Sequence, residues 1–257
     1  MKGIVMPSVP VRPRVRAGRD RVYERPRDAP ARRSLWSRWT AATLVGETVG
    51  FAVPALVGAI AFAAGVPDGP SVPLAVVAGA AEGSVLGLAQ SSVLRREIAG
   101  FDRRAFVAAT GGAAAFAWAI GMPLGVYGHS LPVAALVPAV AVGGAAVLLS
   151  IGVGQALVLR RYVARARRWV WANALAWLAG LVVPFAGMAL VDEGDPAALV
   201  AAVGVFSGLG MAAVVAGVTG IAIVRLLDRS DIDRATRNAA VVLVEPRLPA
   251  APKSPRP

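Results

Sequence analysis

Between Trp39 and Val224 the sequence holds six apolar runs, and its 27 Lys and Arg residues occur only before, after and in alternate gaps between those runs. The runs are Trp39 to Ala64, Val72 to Leu94, Ala105 to Val126, Val133 to Leu159, Trp169 to Val191 and Ala197 to Val224. Each reaches the roughly 20 residues that a helix needs to cross about 30 Å of hydrocarbon. A chain that is 56% apolar and only 16% charged is also too poor in charge for an ordinary soluble domain. The expected fold class is therefore all-α: an integral membrane bundle of six transmembrane helices.

Charge alternation sets the expected orientation. Basic residues cluster in the arm up to Arg38, in the gap from Arg95 to Arg104, in the gap from Arg160 to Arg168, and from Arg225 onward. The gaps around Asp68, His129 and Asp192 contain no Lys or Arg. Basic residues flanking a span are retained on the cytoplasmic side, which puts both termini inside and localises the chain to the cell (inner or plasma) membrane. The aromatics Trp36, Trp39, Phe106, Trp169 and Trp171 fall at the inner ends of the odd-numbered spans, where headgroup-level anchoring is expected. Arg32-Arg33-Ser34-Leu35 has the look of a twin-arginine export signal, but the apolar run after it is a full span, so the pair reads as a flank. The expected partners are the bilayer and anionic lipid at its cytoplasmic face. Nucleic acid is not expected despite the net charge of +12, because the basic tails carry almost no aromatic residues to stack on bases.

An internal period of 65 residues organises the spans: Gly87, Gln90 and Arg95 are followed by Gly152, Gln155 and Arg160, and then by Gly217 and Arg225, with Gly220 in place of the third Gln. The odd spans each begin near an Arg and an aromatic and later carry Pro54, Pro123 or Pro184. The unit is a helical hairpin used three times. An even number of crossings per unit makes the copies parallel, related by an axis along the membrane normal. The pattern Gly-x-x-Gln-x-x-Val-Leu-Arg-Arg, with the Trp-rich start at Trp169, resembles poorly characterised bacterial multi-pass membrane proteins built from such hairpins. The resemblance covers about Trp36 to Leu227 and implies no activity. By composition, residues 1–35 form a disordered Arg- and Pro-rich arm, 36–227 the membrane domain and 228–257 a disordered cytoplasmic tail.

Small residues at every fourth position predict close helix packing: Gly79, Gly83, Gly87 and Ser91 on the second span, and Gly204, Gly208, Ala212, Ala216 and Gly220 on the sixth. The same stripes would also serve a homo-oligomer. Gln90, Gln155 and Asn173 share one layer, about 7 Å from the inner boundary at a rise of about 1.5 Å per residue. They read either as hydrogen-bonding glue between helices or as the lining of a cytoplasmic vestibule. Glu47 and Glu82 lie deeper, at about 13 Å and 19 Å on the same rise. A carboxyl there is expensive to ionise and marks a candidate site. If the two side chains meet they suit proton sharing or cation binding, whereas a Glu47 bonded to Thr48 or to a backbone carbonyl would be structural.

Other chemistry is unsupported. There is no Cys, so thiolate catalysis and Cys-ligated metals are excluded. The single histidine, His129, has no partners at ligand spacing, and Asp192, Glu193 and Asp195 read as a solvated acidic turn. No catalytic, cofactor-binding or metal-ligating residue is assigned and no cofactor is expected. The function is that of a non-enzymatic membrane bundle with basic arms that contact lipid or a partner; the alternative is a small proton- or cation-coupled transporter using Glu47 and Glu82.

Overall fold

The computed structural model describes residues 29–244 apart from Glu193, and side chains as far as Asp228. Among the described residues the chain is all-helical: α1 (Ala29–Ala63), α2 (Asp68–Glu97), α3 (Arg103–Tyr127), α4 (Val133–Leu159), α5 (Arg167–Met188) and α6 (Ala197–Val244), with one turn of 3-10 helix at Gly128–Ser130. All six are long and apolar enough to cross a membrane. Their ends have local causes. Pro67 and Pro132 precede α2 and α4 in extended conformation, and the Asp102 side chain caps α3 by accepting from the Ala105 N–H. Gly65 and Gly100 turn the chain after α1 and α2 with φ of +65° and +69°, values that cost glycine nothing.

Two boundaries differ from the sequence reading. The first helix starts at Ala29, inside the segment expected to be disordered, with Pro30 in its first turn where a missing N–H costs nothing. Leu35 is wholly buried, and Arg32 pairs with Asp228 of α6 at 3.1 Å. At the other end α6 continues to Val244, well past the expected end of its span. The stretch 225–244 contains no Gly or Pro to stop it. The rest of the arm and tail, 1–28 and 245–257, lies outside the described residues.

Each helix packs on its neighbours in sequence, and α6 returns to α1, so the six close into a ring. Packing is uneven along the axis. The bulkiest fully buried apolar side chains, Trp39, Trp169, Phe106, Leu35, Leu94, Leu159 and Ile223, lie toward the end that carries the arginines. An apolar cluster plugs that end, and the α2–α3 and α4–α5 connections fold over it. Phe101 stacks on Phe106 and Tyr162 at 5.5 and 5.2 Å, and the Asp102 N–H donates to the Tyr162 hydroxyl. Toward the far end large apolar residues such as Phe62, Phe185 and Phe206 turn outward.

The glycine stripe on α2 is a packing surface within the chain. A methyl group at Gly83 would collide with Ala114 and the Thr110 carbonyl of α3, and one at Gly87 would sit 3.0 Å from the Val107 Cα. The α6 stripe is packed only in its later half, where Ala212 and Ala216 are buried; Gly204 and Gly208 face open space. The α5–α6 contact instead runs through Gly180 and Gly187 against Met211 and Ser207.

Gly83→Ala is expected to destabilise the chain by about 1–3 kcal/mol through overpacking, whereas Gly112→Ala, at a helical glycine with nothing within 4 Å, leaves stability unchanged or raised by up to about 1 kcal/mol. Thermal denaturation in detergent measures both.

Candidate functional site

A ring of helices leaves an axis that side chains must fill. In the basic half it is filled by a hydrogen-bonded polar layer. Gln155 of α4 donates from Nε2 to Gln90 Oε1 of α2 at 2.7 Å and to Thr110 Oγ1 of α3 at 3.3 Å. Its Oε1 accepts from the Trp169 indole of α5 at 2.8 Å. Gln90 passes the chain on, donating to Thr43 Oγ1 of α1 at 3.3 Å. The Trp39 indole of α1 donates to Thr219 Oγ1 of α6 at 3.0 Å, and its ring meets Trp169 edge to face at 5.5 Å. Thr110 and Thr219 bond back to the carbonyls of Phe106 and Val215 on their own helices. Residues from all six helices thus meet in one layer, and Gln155 is wholly buried.

These contacts are interhelical, and both glutamines are buried. A vestibule lining would expose them to water. Asn173 lies nearby, packed where Gly152 leaves room, but makes no hydrogen bond to either Gln, and its Oδ1 is buried without a partner. The sequence reading missed the aromatic members. Trp39 and Trp169 were expected at headgroup level, yet they are 0% and 1% exposed, because their indole N–H groups find acceptors inside the bundle. Trp171, on the opposite face of α5, is 66% exposed and does point outward. The readable signal was an aromatic followed at i+4 by a polar residue on each odd helix: Trp39 and Thr43, Phe106 and Thr110, Trp169 and Asn173.

On the far side of this layer lie the two carboxyls. Gly50, one turn beyond Glu47, packs against the Glu82 backbone, which a Cβ there would meet at 3.1 Å. Both side chains are buried. Glu82 Oε2 accepts from the Trp118 indole at 2.8 Å. Glu47 Oε1 is buried with no hydrogen-bond partner, and the Thr48 hydroxyl, once a candidate for it, donates to the Leu44 carbonyl instead. Glu82 borders an axial cavity of about 240 Å³ walled by α1 to α5, with Phe51, Trp118, Ile151, Trp177 and Leu181 on its surface. The sequence reading singled out Glu47 and Glu82 as carboxyls that neighbouring helices could bring close, but it did not single out Trp118.

The arginines frame the opposite end. Arg165, Arg168 and Arg225 border a cleft of about 160 Å³ between α5 and α6 that Trp169 also lines. Arg160, Arg165 and Arg167 border a wider one of about 460 Å³ beneath the α4–α5 connection. Arg165 holds the left-handed φ of 61°, alone among the described non-glycine residues. Elsewhere, Asp195 caps its own turn by accepting from the Asp192 N–H at 2.8 Å, Glu193 lies outside the described residues, and no metal-ligand cluster occurs among the described residues.

Gln155→Leu should strand the Trp169 N–H and the Gln90 carbonyl oxygen and cost about 1–2 kcal/mol. Adding Gln90→Leu should cost less than the sum of the single changes, a coupling that a double-mutant cycle in detergent measures.

Set against known proteins, the chain matches no protein family, no curated sequence and no solved structure.

Proposed function

We propose that the chain is a multi-pass protein of the cell's inner or plasma membrane, built of three parallel helical hairpins with both termini cytoplasmic. In this reading it acts as a packed, non-enzymatic bundle whose arginine-bearing end holds anionic lipid. The observation that carries it is the polar layer: Gln155, Gln90, Trp169 and Thr110 are bonded to one another across the axis, with an apolar plug beneath them. Such a bundle offers no continuous polar path between its ends. The cleft bordered by Arg165, Arg168 and Arg225 supports a lipid role, since basic clefts between helices suit anionic headgroups. The hairpin repeat is supported by Gln90 and Gln155, which lie 65 residues apart and meet in one layer.

A second reading, a small proton- or cation-coupled transporter, is favoured by one observation, two buried carboxyls on neighbouring helices, Glu47 and Glu82, the latter at the wall of a cavity. Flux would then require the bonds of the polar layer to break in each cycle.

The absence of Cys makes topology directly measurable. A single cysteine at Gly100 or Ala164 should react with an impermeant thiol reagent only from the cytoplasmic side, and one at Ser130 only from the other; the reverse pattern overturns the orientation. In liposomes the chain should give no proton or monovalent cation flux above protein-free vesicles. Flux lost in both Glu47→Gln and Glu82→Gln would establish the transporter instead. Changing Arg165, Arg168 and Arg225 to Gln should reduce the anionic lipid retained through purification, and unchanged retention would remove the cleft from the account.

A further inference from the structure

The axial cavity has a lining that sealing the bundle does not explain. Its volume of about 240 Å³ exceeds the roughly 150 Å³ that admits a benzene ring in an engineered apolar cavity. Most of its wall is aromatic or aliphatic, with the rings of Phe51, Trp118 and Trp177, and a single carboxyl, Glu82, interrupts it. The Trp118 indole fixes Glu82 through Oε2, and Glu82 Oε1 makes no hydrogen bond to the protein. Behind it Glu47 adds a second buried carboxyl with an unpartnered oxygen. Among the described residues neither acid is paired with Lys or Arg; the described ion pairs, Arg32 with Asp228 and Arg38 with Glu97, are at the basic end.

The lining selects among ligand classes. A hard metal ion needs about six oxygen ligands or retained waters, and this wall offers one carboxyl among hydrocarbon and rings. An anion would face the two acids. A neutral apolar molecule fits the wall but leaves the carboxyl without a partner. A cation whose charge is spread beneath an apolar surface matches both parts, because rings attract it by their faces and the acid by its charge. We infer that this cavity binds a hydrophobic organic cation of the quaternary ammonium class, with Glu82 as counter-ion and Phe51, Trp118 and Trp177 as its aromatic wall. The inference goes beyond the proposed function, since it needs the fold alone and neither bilayer orientation nor flux.

The test is titration of the purified full chain in neutral detergent with benzyltrimethylammonium, against its uncharged carbon isostere neopentylbenzene, read by tryptophan fluorescence and calorimetry. Saturable binding of the ammonium is expected, with the isostere weaker by about tenfold or more. Glu82→Gln, whose amide oxygen still accepts from Trp118, should bring the ammonium down to the isostere's level. Ile151→Trp, which fills the cavity and leaves both acids in place, should abolish binding of both. Equal affinity of ammonium and isostere would make the cavity a simple apolar pocket and overturn the inference. So would full ammonium affinity in Glu82→Gln, or no saturable binding by a chain that keeps its helicity and thermal transition.

Discussion

The hydrogen bond from Gln155 to Gln90 crosses the axis of a bundle whose helices pack chiefly on their ring neighbours. Polar side chains buried away from water must find partners within the protein, and here they find them across the axis. Gln155 engages α2, α3 and α5 at once, Gln90 adds α1, and Trp39 adds α6. The layer fixes how the helices are rotated as well as how close they lie, because an amide accepts partners only from particular directions. The glycine contacts of α2 then bring α3 near enough for Thr110 to reach the layer.

The layer divides the molecule into unlike halves. On the basic side, indole rings and leucines fill the axis, the connections fold across it, and the pairs Arg38 with Glu97 and Arg32 with Asp228 tie α1 to α2 and to α6. On the far side the axis is left as a cavity, with Glu82 at its margin. A packed half beside an open half is what a binding protein uses, rigidity for the scaffold and space for the ligand. It also means that passage through the axis would need the most tightly packed part of the molecule to come apart.

Much of this was legible in the sequence, for reasons that differ by residue. The six helices follow from apolar length alone, and α4 begins and ends at the expected residues, Val133 and Leu159, because proline and arginine bracket it. Gln90 and Gln155 were placed in one layer by helical rise, whereas depth alone left open whether Glu47 and Glu82 meet. Trp39 and Trp169 were misplaced because tryptophan favours the headgroup level and the buried hydrogen bond alike, and a single chain does not say which wins. Trp118 was not singled out, since its role depends on the lateral register of α2 and α3, which glycine contacts set. The ends of α1 and α6 were drawn too short because charge marks where a membrane ends and not where a helix does.

The most direct test of the account is amide and indole hydrogen exchange of the chain followed by NMR, in which the six tryptophans give separate indole N–H signals. The indole protons of Trp39, Trp118 and Trp169, each bonded to a side chain inside the bundle, should persist long after that of the outward-facing Trp171 has exchanged. Exchange of Trp169 as fast as Trp171 would contradict the polar layer, and with it the sealed half of the bundle.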